Sequence, residues 1–436
     1  MLKTCPQLRS QLEKIKSLYS DYCLELEPAK NTQEFEAILS IKEEIESKMQ
    51  GLFIDLEMTT DPYQTDFRYN LAQKLNLKYI DLFEDGIARA QDDSGLYFID
   101  KYGESIVGDI RFYSAGNFSE GLAGVQGEAG KCYYIDRQGQ AIFGDKSFVR
   151  VNKFSGGFAI VKDSYDSEFY FIDKEGQSIV GNRRFESAQA FCEGLARVKD
   201  SSGAYFIDKQ GNPAFGDKRF TSVENFADGM ALVDDSSGVY YIDKAGKPIA
   251  GRDQFAAHGS FSEGLAVVWD MNRHCYYYID KQGREIFDNM TFKRAGTFID
   301  GLAIVEDDEG AYYIDKQGEA IFGDRAFETA HTFSEGLARV RDSYDSDFYF
   351  IDKQGNSIIV DSSIKITEDF SEGLAVVINY ARNNNTHYNF IDKQGNLFFG
   401  DSGFLQVSSY DKGLARAWDG NAIDYYIDRK GRRIGK

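Results

Sequence analysis

The chain has 436 residues, more than one hydrophobic core usually organises, so length alone predicts several domains or an elongated array. Acidic side chains number 70 against 50 basic ones, and the formal charge of −20 repels phosphate, which excludes nucleic acid and anionic membrane surfaces as expected partners. Aromatic residues reach 14%, with 27 Tyr and 34 Phe beside only 5 Pro, a composition of strands and not of a disordered chain.

The start, MLKTCPQLRSQLEKIKS, has no apolar run behind its charges, and no later stretch reaches the roughly 18 apolar residues of a membrane span. The expected location is therefore cytoplasmic, with an effector secreted without a cleavable signal as the alternative. Cys5, Cys23, Cys132, Cys192 and Cys275 follow no repeated spacing, so neither a disulfide ladder nor a zinc pattern is expected.

Residues 1–75 read as an α-helical region. Leu8, Leu12, Ile15, Tyr19 and Leu26 define one amphipathic stripe, and Phe35, Ile38, Ile41, Ile45 and Met49 a second. Asn31 or Thr32 can cap the second helix, and Gly51 can end it. Asp61 and Pro62 predict the start of a third, short helix with Tyr63, Phe67 and Leu71 on one face. These stripes imply internal packing or capping of the chain beyond residue 75, with dimerisation or partner docking as the alternative.

From residue 76 to 436 two phrases alternate. The first, FSEGLAGV-like, places a glycine at Gly86, Gly121, Gly157, Gly194, Gly229, Gly264, Gly301, Gly336, Gly373 and Gly413. The second, YYIDKQG-like, closes on a glycine between each of these and the next, from Gly103 to Gly431. Together they define ten tandem copies of about 36 residues. Within a copy, LARV, a polar DSSG-like turn and AYFIDK predict a hairpin whose loop, the site of length variation, faces solvent. Asp208 to Gly211 predicts a type I turn with glycine at positive φ, and a short strand such as AIFGD after it. Phe185, Ala188 and Phe191 stand nine, six and three residues before Gly194, a spacing that fits neither a plain strand nor a helix. So small a unit must stack on its neighbours to bury an apolar face. The expected architecture is mainly β, an open solenoid or superhelical stack of copies, with a closed β-propeller as the alternative.

F-x-E-G-L-A-x-V alternating with Y-x-I-D-K-x-G over residues 77–436 resembles the bacterial WG (KWG) β-repeat family. The Trp-Gly pair that names the family is replaced by pairs such as Ala204-Tyr205 and Val239-Tyr240. The resemblance implies an interaction module, of the kind found in bacterial stress, defence or effector systems, and brings no catalytic residues.

His258, His274, His331 and His387 fall at different repeat positions, and no phosphate loop, G-x-S-x-G elbow or H-E-x-x-H motif is present, so neither a catalytic nor a cofactor site is expected. The recurrent aspartates, Asp100 to Asp428, read as turn formers, with a carboxylate ladder as the competing idea. The acidic loops Asp92-Asp93, Asp234-Asp235 and Glu306–Glu309 read as solvated turns, with weak Ca²⁺ binding as the alternative. Residues 163–179, DSYDSEFYFIDKEGQSI, nearly recur at 342–358, DSYDSDFYFIDKQGNSI, five copies on. Tyr165 and Tyr344 in these loops, with Trp269 and Trp418 at strand ends, are the candidate partner-binding residues. The expected function is a non-enzymatic protein–protein interaction scaffold or adaptor presenting an acidic, aromatic surface. The alternatives are a carbohydrate-binding module and an enzyme whose site lies in the divergent ninth copy, Ile378 to Phe390.

Overall fold

The computed structural model describes residues 61–249, 256–257, 259–287, 290–358, 364–380, 386–400, 403–418 and 424–434. The two expected amphipathic stripes over 8–26 and 35–49, with Cys5 and Cys23, lie outside them. Among the described residues the strands form ten small antiparallel sheets of three or four strands. The chain divides into two compact units, one of residues 1–111, 410–417 and 422–436, the other of residues 112–409 and 418–421.

In the second unit, the copy anchored at Gly194 shows how the sequence builds a sheet. Ser187–Ala188 pairs with Ala196–Asp200, which pairs with Gly203–Ile207, in the register Ala188↔Val198↔Tyr205. The spacing of three before Gly194 contains no helical turn. Phe185 bridges Phe169 of the preceding hairpin, Glu186 bends, and Ser187–Ala188 joins the following sheet, so the segment crosses from one sheet to the next. The strand expected after the Asp-Lys-x-Gly turn is mostly a single bridge, such as Ile135↔Ala141, succeeded by a turn over 142–145. That turn returns Phe148 to Cys132, which leaves no length for a strand.

The anchor glycine belongs to a two-residue hairpin. Cys192 and Leu195 exchange both backbone hydrogen bonds at 2.8 and 3.1 Å across Glu193 (φ 49°) and Gly194 (φ 91°), the two positive φ values of a type I′ turn. At the next turn Gln210 and Asn212 donate their amides to Asp208 Oδ1 at 3.0 and 2.8 Å, and Gly211 sits at φ 77°. The recurrent aspartate is thus a turn former, as its position in the sequence implies.

Neighbouring copies interlock through rings. Tyr134 packs on Phe154 at 5.0 Å, Phe206 on Phe226 at 4.9 Å, Tyr278 on Phe298 at 5.1 Å and Phe350 on Phe370 at 4.6 Å. Each pair joins one copy's Y-x-I-D-K-like strand to the phenylalanine three residues before the next copy's anchor glycine. All eight rings are buried. Burying one such ring contributes about 1.5–3 kcal/mol, and the tilted pair about 0.5–1.5 kcal/mol more. Tyr134 and Tyr278 also donate their hydroxyls to Asn152 and Gly296 carbonyls, both at 2.6 Å.

In the first unit Asp61 accepts from the Tyr63 and Thr65 amides at 2.9 and 2.6 Å, and helix α1 runs Thr65–Leu75, a few residues later than expected. The cause is Gln64, held at φ 52° while its amide makes two bonds to the Phe83 backbone. Phe67 and Leu71 are buried on the helix face, and Phe67 meets Phe83 at 5.3 Å. A Cβ on Gly103 would stand 2.9 Å from Leu71 Cδ1 and 3.1 Å from Leu75 Cδ1. At Gly176, Gly246 and Gly318 the preceding copy's Phe143, Phe215 or Phe287 occupies that place, so α1 substitutes for a missing neighbour beneath the first copy.

The other side of α1 faces the copy anchored at Gly413. Arg68, only 2% exposed, donates to the carbonyls of Tyr63, Ile80 and Lys412 at 3.2, 2.6 and 2.6 Å. Asp66 pairs with Lys430 at 2.7 Å and Arg432 at 2.9 Å, and Tyr79 meets Tyr426 at 4.8 Å. Within this unit the first copy and the copy anchored at Gly413 therefore touch, through α1 and directly.

Candidate interaction surface at the hairpin tips

Several hairpin tips are organised by a carboxylate at the end of the first strand. Asp163 accepts from Tyr170 Oη at 2.8 Å, Asp200 from Tyr205 Oη at 2.9 Å, and Asp235 and Asp342 from Tyr240 and Tyr349 Oη at 2.5 Å. A guanidinium covers several of these tip tyrosines: Arg111 lies 3.7 Å from the Tyr97 centroid, Arg184 4.0 Å from Tyr170, and Arg219 3.8 Å from Tyr205. Burial, followed by the Asp200 carboxylate, pushes the Tyr205 phenol above its usual range. In the copy anchored at Gly264, Arg273 takes the covering role at 4.7 Å from Tyr277 and binds Asp270 at 2.5 Å, holding that carboxyl at about 2. The sequence reading passed over this Asp–Tyr–Arg clasp. Its signal is an Arg shortly before the bridging Phe, as in Arg-Phe at 111–112, 184–185 and 219–220.

Against that background Tyr165 and Tyr344 stand apart, 76% and 77% exposed on the tips. Their loops are built alike: Ser164 N bonds Ser167 Oγ at 3.0 Å and Ser343 N bonds Ser346 Oγ at 3.0 Å. Trp269 is half-buried against Tyr276 of its own hairpin at 4.7 Å, so it packs instead of projecting. Trp418 is 36% exposed at the end of the strand Leu414–Trp418. The four residues come from four different copies, and among the described residues no ring contact joins any two of them.

The acidic loops use their carboxylates internally. Asp92 accepts from the Ser94 and Gly95 amides at 2.7 and 3.1 Å and pairs with Arg111 at 2.9 Å, and Asp93 meets Lys78 at 2.6 Å. Asp308 pairs with Lys293 at 2.5 Å, while Asp307 accepts from the Glu309 amide at 2.8 Å. Among the described residues no three His, Cys, Asp or Glu side chains converge as a metal site would require. His331 lies 3.9 Å from Asp369, and burial, then Arg339, hold its imidazole below the usual histidine range. No described helix is long and apolar enough to cross a membrane.

A second recurring carboxylate was also missed. The residue before the anchor glycine reaches into the next copy: Glu193 Oε2 accepts from Gly229 N at 3.0 Å and pairs with Lys244 at 3.0 Å. Glu120 does the same with Gly157 and Lys174, Glu263 with Gly301 and Lys316, and Glu335 with Gly373 and Lys393. The left-handed conformation these residues adopt is costly for a side-chain-bearing residue, and the two bonds across the junction offset it. The signal is the Glu of F-x-E-G together with the Lys of I-D-K.

A polar cleft of about 540 Å³ lies between adjacent tips, bordered by Glu186, Lys199, Asp200, Arg219 and Asp235. A second, of about 360 Å³, is lined by Gly116, Gly124, Asn117, Cys132 and Lys153.

Among the described residues, small antiparallel sheets that recur with the sequence copies define a tandem β-repeat protein. Two stretches, residues 98–132 and 278–309, match the family profile of the WG containing repeat. No curated protein matches the chain. Among solved structures it is similar to BamB from Moraxella catarrhalis, with 16% identity, 64% of this chain and 94% of the other covered, and a TM-score of 0.28. Hsv2 of Kluyveromyces lactis gives 10% identity, 64% and 98% coverage and a TM-score of 0.28. At such scores neither superposition bears on how the sheets are arranged.

Proposed function

We propose that the chain is a non-enzymatic scaffold or adaptor, ten WG-type copies long, whose hairpin tips present an acidic and aromatic surface to a protein partner. The observation that carries this reading is the contrast at the tips. The tyrosines of Asp–Tyr–Arg clasps are turned inward, whereas Tyr165 and Tyr344 are left about three-quarters exposed on loops of their own design. An exposed tyrosine offers a large, rigid contact at little entropic cost, which suits it to anchor a partner. The recurrent polar residues that invite a catalytic reading serve turns and junctions instead. A cytoplasmic location is part of the same proposal.

Carbohydrate binding is the second reading, favoured by the polar cleft of about 540 Å³ between tips. A glycan array separates the two.

Affinity capture from a lysate of the native host, with the full chain beside one starting at Asp61, tests the scaffold. The shorter chain keeps α1, because α1 packs beneath the first copy. A partner held by both chains places binding on the copies; a partner lost with residues 1–60 makes the N-terminal region the docking element.

A further inference from the structure

We infer that the DSYDS tip at Tyr165 is a receptor for an arginine side chain of a basic partner segment, and that the matching tip at Tyr344 is shielded by the protein's own Arg341. This rests on the scaffold reading and specifies the chemistry of the partner.

The two tips share sequence, turn geometry and exposure, so their differences are informative. Beside Tyr344, Arg341 lies with its guanidinium carbon 5.2 Å from the ring centroid and donates to the Tyr344 carbonyl at 3.4 Å. Arg341 is also fixed from behind, by Thr329 Oγ1 at 3.0 Å and by the Phe348 ring at 5.1 Å. At the Tyr165 tip the equivalent residue is Lys162, whose ammonium sits 5.4 Å from the Phe169 ring, the counterpart of Phe348. Among the described residues no cation stacks on Tyr165.

Three features make arginine the fitting occupant. The same tip surface binds guanidinium over tyrosine at Tyr97, Tyr170, Tyr205 and, in the twin loop, Tyr344 itself. The loop carries Asp163, Asp166 and Glu168 within three residues of Tyr165 in sequence, in a chain of net charge −20, so a cationic segment is drawn to it and an anionic one repelled. Guanidinium is planar and weakly hydrated, so it stacks on an aromatic face where ammonium stays solvated, which predicts discrimination between arginine and lysine at equal charge.

The test uses the full chain and two fluorescent heptapeptides of alternating glycine with arginine or with lysine, titrated by anisotropy at low and physiological salt. The arginine peptide is expected to bind about 2- to 5-fold more tightly than the lysine peptide, the range of an exposed cation–π contact. That preference should vanish in Y165A, shrink in K162R, which installs the shield, and grow in R341A, which removes it. Y113A, altering another exposed tyrosine (76%), is the control and should change nothing. Equal binding of the two peptides, or an arginine preference that survives Y165A with the fold intact by circular dichroism, overturns the assignment. Either result leaves the scaffold reading to its own capture experiment, so the two can fail separately.

Discussion

Replacing Arg68 by methionine keeps the apolar stem and removes the guanidinium that ties α1 to both the first and the last copy. The side chain is 2% exposed and donates to three carbonyls, of which the Ile80 bond is fully buried and those to Tyr63 and Lys412 partly so. A buried carbonyl left without a donor costs about 1–3 kcal/mol, and a partly buried one less, because water can replace the donor. Removing a buried charge returns some desolvation energy. The balance is a loss of about 2–4 kcal/mol, confined to the unit that contains α1. Repeat arrays unfold locally, so a single melting temperature is a poor reporter and hydrogen exchange a better one. Amides of α1 and of the strands Tyr79–Ile80 and Ile87–Gln91 should exchange about 30- to 1000-fold faster, while those of Ala196–Ile207 keep wild-type protection. Protection unchanged within about threefold in all of these segments would refute the reasoning, because Arg68 would then not be holding the contact together.

Turn glycines that share a positive φ should differ in tolerance. G211A forces a Cβ to 2.4 Å from the Ile179 carbonyl oxygen at φ 77°, whereas G121A meets nothing within 4 Å at φ 90°. Denaturant titration should show a loss of about 1 kcal/mol for G121A, from backbone strain alone, and at least about 3 kcal/mol for G211A. D208A removes the acceptor of two turn amides and should cost about 1–2 kcal/mol, while D208N, which can keep both, should cost far less. A carboxylate serving as a ligand would instead lose as much in either variant, and Ca²⁺ titration monitored by melting should leave the wild type unmoved. The carboxylates that clamp successive copies also set an acid limit. Lys281 foremost holds Asp228 low and Lys316 holds Glu263 low; at Glu120 and Glu193 burial pushes upward, but Lys174 and Lys244 with the glycine amides outweigh it. Groups with lowered native pKa values take up protons more readily when unfolded, so their contribution is present above the ordinary glutamate value of 4.5 and is lost as pH falls through the lowered native values. Stability from this source should be flat between about pH 7 and 5 and decline below about 4.5, as followed by circular dichroism.

The period, the hairpins and the Asp-Lys-x-Gly turn are legible in the sequence because each rests on interactions within a few residues. Asp208 serves its own turn, and Ala204 to Ile207 pair with a strand just before them. What joins the copies is not legible in that way. Glu193 meets Gly229 36 residues on, and no local pattern says that the left-handed Glu-Gly pair exists to make that bond. The segment from Phe185 to Phe191 defied any single period because it belongs to two sheets at once. Arg68 reads as an ordinary charge on an amphipathic helix, yet its partner Lys412 lies 344 residues away. Of the candidate site, Tyr165 and Tyr344 were visible through the duplicated DSYDS loop. That Trp269 packs on Tyr276 is not legible in the sequence, because their cross-strand pairing comes from register and not from composition.

The central claim is that partner binding resides on the exposed tyrosine tips, and it is tested most directly by capture from the host lysate with wild-type chain and the Y165A/Y344A variant side by side. Circular dichroism would first show that both are folded, as expected for side chains 76% and 77% exposed. Recovery of the partner should fall at least about fivefold with the variant, the loss expected when two anchoring tyrosines are truncated. Undiminished recovery by the folded variant would contradict the claim and move the binding surface away from these tips.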